Sequence, residues 1–256
     1  MRFTVLGKSP AFQDAGGACS GYLVEEGDYA MLVDCGSGVF AKLRERRSYA
    51  ALGQILISHI HADHVLDLVP YGYALTLGPE TSGGERVPLA LPPRGTEALR
   101  RMVATWGSDR LIDAAFELRE YEIDGRLQCG PLEVRLHQVP HFTLTHAVEL
   151  IAPSGRRLVY SADCRPNSAL EAAASGADVL IAEATLGAVA APDEPLEQRG
   201  HMSATEAGEL AQRAGVGRLV LTHISDQHDL ERALAAASEV FSGPAELAAP
   251  GSSWEL

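Results

Sequence analysis

Cysteine is scarce in this chain of 256 residues. Cys19, Cys35, Cys129 and Cys164 stand far apart and form no CxxC pair, which excludes a disulfide framework or a zinc finger as the basis of the fold. No apolar run reaches the ~18 residues that a membrane helix needs. The opening MRFTVLGKSP has no apolar segment behind a basic start, so no secretory leader is expected. Positive charge is also short: 21 Lys and Arg stand against 34 Asp and Glu, a net charge of −13. That balance disfavours non-specific binding to nucleic acid or to acidic membranes. No linker, composition shift or low-complexity tract interrupts the chain, so residues 1–256 read as a single domain. A domain of this size buries a core without staples, and any metal it holds is there for chemistry. A reduced, cytoplasmic protein is the expectation.

Short apolar runs alternate with amphipathic stretches. Arg2–Leu6, Gly21–Glu25, Tyr29–Val33, Gln54–Ser58 and Leu89–Leu91 read as strands in the first half; Phe116–Tyr121, Leu132–Val139, Ala147–Ile151, Leu158–Ser161, Val179–Ala182 and Leu219–Thr222 follow. Helices are expected over Val39–Arg46, Val65–Leu75, Thr96–Thr105, Asn167–Ala174, Ser203–Ala214 and Leu230–Val240, with Ser203 and Glu206 spaced as a capping box. Glu80–Glu85 reads as a loop, and 187–200 as a long loop that is either solvent-exposed or a mobile lid. Meandering strands followed by strand–helix alternation indicate α/β layers with mixed sheets.

The strongest chemical signal is His59-Ile60-His61-Ala62-Asp63-His64, directly after the apolar run QILIS. If the strand continues to His61, His59 and His61 point to one side, and the following turn brings Asp63 and His64 back to a second point. Other apolar runs also stop at a ligand-type residue: LEVRLHQVP at His141, RRLVYSA at Asp163, GRLVLT at His223, MLV at Asp34 and DVLIA at Glu183. Ligands of open α/β sheets bind outside the carboxyl ends of the strands. His59, His61, Asp63, His64, His141, Asp163 and His223 are too many donors for one zinc, which takes three or four. They suit two ions, with Asp163 as the shared ligand. Zinc is expected first; an imidazole-carboxylate set also admits iron or manganese.

On these residues the chain resembles the metallo-β-lactamase superfamily, whose signature is H-x-H-x-D-H followed by a later His, Asp and His. DCGSG (Asp34 to Gly38) matches its D-x-G turn. The resemblance implies a four-layer αββα sandwich of two mixed β-sheets flanked by helices, with a dinuclear site between the sheets. Asp163 in place of Cys argues against a true β-lactamase, and His61 in place of Glu argues against the flavodiiron branch. AEATL (Glu183) followed by GHMSATEAGELAQRAGVGRLVLTHIS (His201) is similar to the ribonuclease Z branch. There the resemblance implies that Asp63 orients a metal-bridged hydroxide and that His201, held by Glu183, protonates the leaving alkoxide.

Departures from that branch matter equally. The interval from His141 to Asp163 holds one hairpin and leaves no room for the arm with which ribonuclease Z grips tRNA. The segment GKSPAFQDAGGACSGYLVE lacks the usual basic, threonine-rich stretch. The chain looks closer to arm-less relatives, including cyclic nucleotide phosphodiesterase-like proteins. The leading expectation is a two-zinc phosphodiesterase acting on a small or short phosphodiester, with long tRNA disfavoured. The alternatives are a tRNA 3′-end endonuclease, a hydrolase of carboxylic, thio or sulfate esters, or a metal-holding binding protein without turnover. A homodimer is expected by resemblance alone. Among the other histidines, His137 reads as packing or surface and His228 as exposed, while His146 lies near enough to the site to be weighed as a substrate contact.

Overall fold

The computed structural model describes residues 1–79, 86–191 and 195–256. The Glu80–Glu85 loop expectation, and part of the 187–200 lid expectation, lie outside the described residues. In chain order the first half forms β1 (Arg2–Gly7), β2 (Gly21–Glu26), β3 (Tyr29–Val33), α1 (Val39–Arg44), β4 (Gln54–Leu56), α2 (Ala62–Val65), α3 (Leu68–Leu77), β5 (Val87–Leu91), α4 (Gly95–Ala104), α5 (Leu111–Ala115) and β6 (Phe116–Glu120). The second half forms β7 (Arg126–Cys129), β8 (Leu132–Val139), β9 (Thr145–Ile151), β10 (Arg157–Tyr160), α6 (Ser168–Ala174), β11 (Val179–Glu183), α7 (Ala204–Ala214), β12 (Leu219–Thr222), α8 (Leu230–Val240), β13 (Ala245–Leu247) and β14 (Ser253–Glu255).

Two mixed seven-stranded sheets result, in the orders β14-β1-β2-β3-β4-β5-β6 and β13-β12-β11-β10-β9-β8-β7. Side chains alternate across each strand, and that period sorts the apolar residues into three separate layers. Met31 and Val33 of β3 meet Leu150, Tyr160 and Ile181 between the sheets. Leu32, between them in sequence, faces the other way, toward Leu43, Tyr71 and Leu99 of the helices. In the second sheet Val159 and Leu180 pack beneath Leu170, Leu210 and Ala237 of α6, α7 and α8. The order is therefore helices, sheet, sheet, helices: the four-layer αββα sandwich that the resemblance implied. Among the described residues, no helix is long and apolar enough to cross a membrane.

Two local departures from expectation bear on the site. β4 ends at Leu56: the Ile57 N–H makes a last ladder bond to Ala90 of β5, and the Ser58 N–H then turns to the Asp34 carboxylate. His59 and His61 thus lie beyond the strand. The helix expected over Val65–Leu75 breaks into α2 and α3, and Asp67 at the break accepts the Phe40 N–H through Oδ2. The capping box at Ser203 and Glu206 forms as expected. Three elements had little sequence signal: α5 has only five residues, and β7 and β14 are short, half-polar edge strands.

Beneath α6 the structure buries a charge. Glu149 on β9 accepts from His137 Nε2 at 2.9 Å and from Arg157 Nε at 2.8 Å, and Arg157 reaches on to the Ala173 and Ser175 carbonyls at the end of α6. Burial raises the carboxyl's pKa, but these donors outweigh it and hold the pKa below the ordinary glutamate value. A depressed carboxyl stabilises the fold above its unfolded pKa and loses that contribution as pH falls through the folded one. Glu149→Gln is expected to cost about 2 kcal/mol in urea denaturation at pH 7. The gap to wild type should close as pH falls through the lowered Glu149 pKa; equal stability at pH 7 would refute the ion pair's role.

Candidate metal centre

The ends of five strands meet at one edge of the sandwich. β3 delivers Asp34, β4 the His59–His64 segment, β8 His141, β10 Asp163, and β12 His223. At three of these ends the chain turns through a left-handed residue other than glycine: Asp34 (φ 59°), Ala162 (φ 49°) and His223 (φ 50°). Such residues are uncommon, and strain of this kind collects at functional sites. Gly36 is required by close approach, since a Cβ there would collide with the backbone oxygen of Asp63.

The seven residues singled out in the sequence all come together, as two sets of donors that share Asp163. In one set, His61 Nδ1 lies 3.2 Å from His59 Nε2 and 3.1 Å from His141 Nε2. Asp163 Oδ2 lies 3.6 Å and 3.8 Å from the same His59 and His141 nitrogens. In the other, Asp63 Oδ2 is 3.1 Å from His223 Nε2 and 3.6 Å from His64 Nε2. Asp163 closes this set at 3.4 Å from His64 and 3.5 Å from His223. Within each set every donor atom lies within 4.8 Å of the others.

Hydrogen bonds on the far side of the rings fix which nitrogen is bare. His141 Nδ1 donates to the Gly200 carbonyl at 2.8 Å. His64 Nδ1 donates to Asp34 Oδ2 at 2.7 Å. Ser58 Oγ donates to Asp34 Oδ2, which leaves it to accept from His59 Nδ1 at 3.0 Å. Thr185 Oγ1 donates to Glu183 Oε2 and stands 2.8 Å from His223 Nδ1. The opposite nitrogens then carry lone pairs aimed into the cluster. Burial lowers the pKa of His59, His61 and His141 against the pull of Asp163, so these rings are neutral and ligand-ready. Burial also disfavours a charged His64, but Asp163 and Asp34 outweigh it and raise its pKa.

This donor chemistry fits divalent metal. His64 Nε2 and Asp163 Oδ1 are buried with no hydrogen-bond partner, a state that costs free energy unless something answers them. Asp63 is ionised: burial raises its pKa, yet His223 and His64 bring it down to about 2. Imidazole and carboxylate together are a set for zinc, iron or manganese.

Beside the cluster stands His201, just before α7. Its Nδ1 lies 2.8 Å from Glu183 Oε1, and its ring centroid is 4.9 Å from that of His141 and 5.8 Å from that of His223. Glu183 is fully buried and also accepts from the Cys164 and Thr185 backbone N–H groups. Burial lowers the His201 pKa, but Glu183 and the two aspartates overcome it and bring it to about 8. The Cys164 thiol is buried and its pKa is pushed well up, so it packs and does not react. His146 is fully buried against Tyr121, with ring centroids 5.2 Å apart, and is shut off from solvent. His228 is exposed.

Sequence reasoning missed Ser58, Tyr160 and Thr185, which act only through other side chains. Tyr160 Oη donates to Asp34 Oδ2 at 3.1 Å. Nothing in the sequence pairs Ser58 and Tyr160 with Asp34, or Thr185 with His223, because these partners lie far away in the chain. Asp34→Asn, which weakens the acceptor behind His64, is expected to lower divalent-metal affinity by at least about tenfold. Metal content after dialysis against a graded chelator measures it, and unchanged content would refute the linkage.

The comparisons with known proteins agree with this geometry. The family described as the Beta-lactamase superfamily domain matches residues 29–224. The probable metallo-hydrolase YhfI of Bacillus subtilis is 30% identical over 256 residues, covering 100% of both chains. The YhfI crystal structure superposes with a TM-score of 0.88 at 29% identity, over 100% of this chain and 99% of that one. The ribonuclease Z of Myxococcus xanthus is 30% identical over 308 aligned positions, covering 100% of this chain and 98% of that one. That alignment is longer than this chain, so the relative carries segments with no counterpart here. Yeast PDE1 shares the fold at a TM-score of 0.77 with 14% identity, over 100% of this chain and 99% of that one. Matched by the family over residues 29–224 and by relatives along its whole length, the chain belongs to the metallo-β-lactamase superfamily, in its ribonuclease Z-like branch, and is a metal-dependent hydrolase.

Proposed function

We propose that the protein is a phosphodiesterase that holds two divalent cations, zinc in the first instance, and acts on a cyclic nucleotide or a short nucleic-acid-like phosphodiester. One ion would be held by His59, His61, His141 and Asp163, the other by Asp63, His64, Asp163 and His223. Bound there, divalent cations supply Lewis acidity and a hydroxide nucleophile at neutral pH. The residues supply orientation and protons. Asp63, ionised at any working pH, accepts a hydrogen bond from the attacking water and turns a lone pair toward phosphorus. His201 carries a proton on Nε2 and delivers it to the leaving alkoxide. Glu183, fixed by backbone donors, keeps that proton in place and balances the imidazolium charge.

The observation that carries this reading is the His201–Glu183 pair standing over the two donor sets. An alkoxide is a poor leaving group without an acid, and a histidine raised to about pKa 8 is one at neutral pH. A second feature supports an anionic substrate. A cavity of about 490 Å³ opens at Ile60, between the His59 and His61 positions, and runs along Arg94, Arg101 and Thr143. The charged residues lining it are two guanidinium groups and one carboxylate, Glu97, with which both pair, so the wall carries one positive charge in excess on a strongly acidic chain. The ribonuclease Z relative favours a second reading, tRNA 3′-end cleavage. The single hairpin of β9 and β10 between His141 and Asp163 weighs against it, because it offers no tRNA-gripping arm.

His201→Ala is expected to lower kcat on bis(p-nitrophenyl) phosphate by about 100-fold or more while metal content stays at the wild-type level; near-normal turnover would reject the acid role. The protonated His201 is the active form, so activity falls as pH rises through its pKa. Glu183→Gln removes the charge that raises this pKa, and the alkaline limb of the kcat/KM profile should move to lower pH. A limb that stays in place would assign it to another group. A panel of cyclic nucleotides, tRNA precursors, thioesters and sulfate esters ranks the substrate classes, and clean cutting of tRNA precursors alone would put the second reading first.

A further inference from the structure

Phe142 is 68% exposed. It follows His141 directly and belongs to none of the three apolar layers. A single exposed aromatic residue needs no explanation by itself, but this ring has a defined seat. Its centroid lies 5.1 Å from that of His141 and 5.9 Å from that of His201, so it packs against a candidate metal ligand and against the candidate acid. Gly200 leaves room for the seat: a Cβ there would come within 2.4 Å of the edge of the Phe142 ring. The same glycine accepts the His141 Nδ1 hydrogen bond through its carbonyl, and the Arg165 N–H holds Pro140 on the other side. The loop that carries the ring is therefore tied down at the site, with one aromatic face at the rim left uncovered.

We infer that Phe142 is a stacking platform for the base of a nucleotide substrate, and so a specificity-determining residue that separates nucleotides from base-free phosphate esters. The inference rests on the phosphodiesterase reading and deepens it. A phosphate at the donor sets places the rest of a nucleotide within a few ångströms of the rim, where an exposed ring gains by covering a base. Stacking of this kind tolerates every base, since each has a π-face. The platform predicts selectivity for nucleotides over their base-free counterparts with little preference among bases.

The test compares wild type, Phe142→Ala and Phe142→Trp as full-length, metal-loaded proteins. Calorimetric Kd values for adenosine 5′-monophosphate and ribose 5-phosphate are read beside kcat and KM on cyclic AMP and on bis(p-nitrophenyl) phosphate. Wild type is expected to bind the nucleotide about tenfold tighter than the sugar phosphate. Phe142→Ala should erase that ratio and raise KM for cyclic AMP more than it lowers kcat, and Phe142→Trp should restore both. A preference that persists in Phe142→Ala, or no preference in wild type, overturns the platform. Binding is read without turnover, so failure of the phosphodiesterase reading shows separately, as no hydrolysis of either diester while the Phe142-dependent preference remains.

Discussion

A single carboxylate ties the two sheets to the site between them. Asp34 Oδ1 accepts the Ser58 N–H at 2.7 Å, while Oδ2 takes Ser58 Oγ at 2.8 Å, His64 Nδ1 at 2.7 Å and Tyr160 Oη at 3.1 Å. A buried carboxylate is costly unless such donors answer it. Here they come from the end of β4, from α2 and from β10, so the charge is satisfied only when both sheets are in register. The tie also ends β4 early, frees the His59–His64 segment from the ladder and fixes the ring of His64. The left-handed backbone at Asp34 turns the carboxylate to where these donors meet.

The electrostatics of the site follow from that frame. Lone pairs of imidazole rings do not gather at about 3 Å without a counterpart, and carboxylates do not stay ionised in a dry interior without positive charge. The fold holds both in place because four of the five rings are fastened at the rear: His59 to Ser58, His64 to Asp34, His141 to the Gly200 carbonyl, and His223 to Thr185. The stored cost is recovered by divalent metal. His201 differs from them in where it stands, beside the two donor sets and not within them. Glu183 behind it and the two aspartates nearby raise its pKa to about 8, so the ring keeps its proton at neutral pH. One residue type thus serves two purposes through its position and its charged neighbours.

Much of this was legible in the sequence. The H-x-H-x-D-H segment and the ligand-type residues ending five other apolar runs were visible because strand ends are local signals. The layer order followed from resemblance. What stayed hidden was whatever depends on two distant segments at once. The break at Asp67 answers an N–H on α1, and the early end of β4 answers a carboxylate on β3. His146, weighed as a substrate contact from its nearness in sequence, is buried because the N–H of that residue closes onto Ser58 across the sheets.

The sequence by itself determined the donor types, their order and the alternation that sends Leu32 outward and Met31 and Val33 inward, since these are properties of residue chemistry and of the two-residue period. The tertiary structure alone decided that Asp163 lies within reach of both donor sets, that Glu183 stands behind His201 while Thr185 stands behind His223, and that Phe142 sits against both site histidines. Each of those is a distance between segments far apart in the chain. Such distances are set by how the sheets pack, and no local pattern carries them.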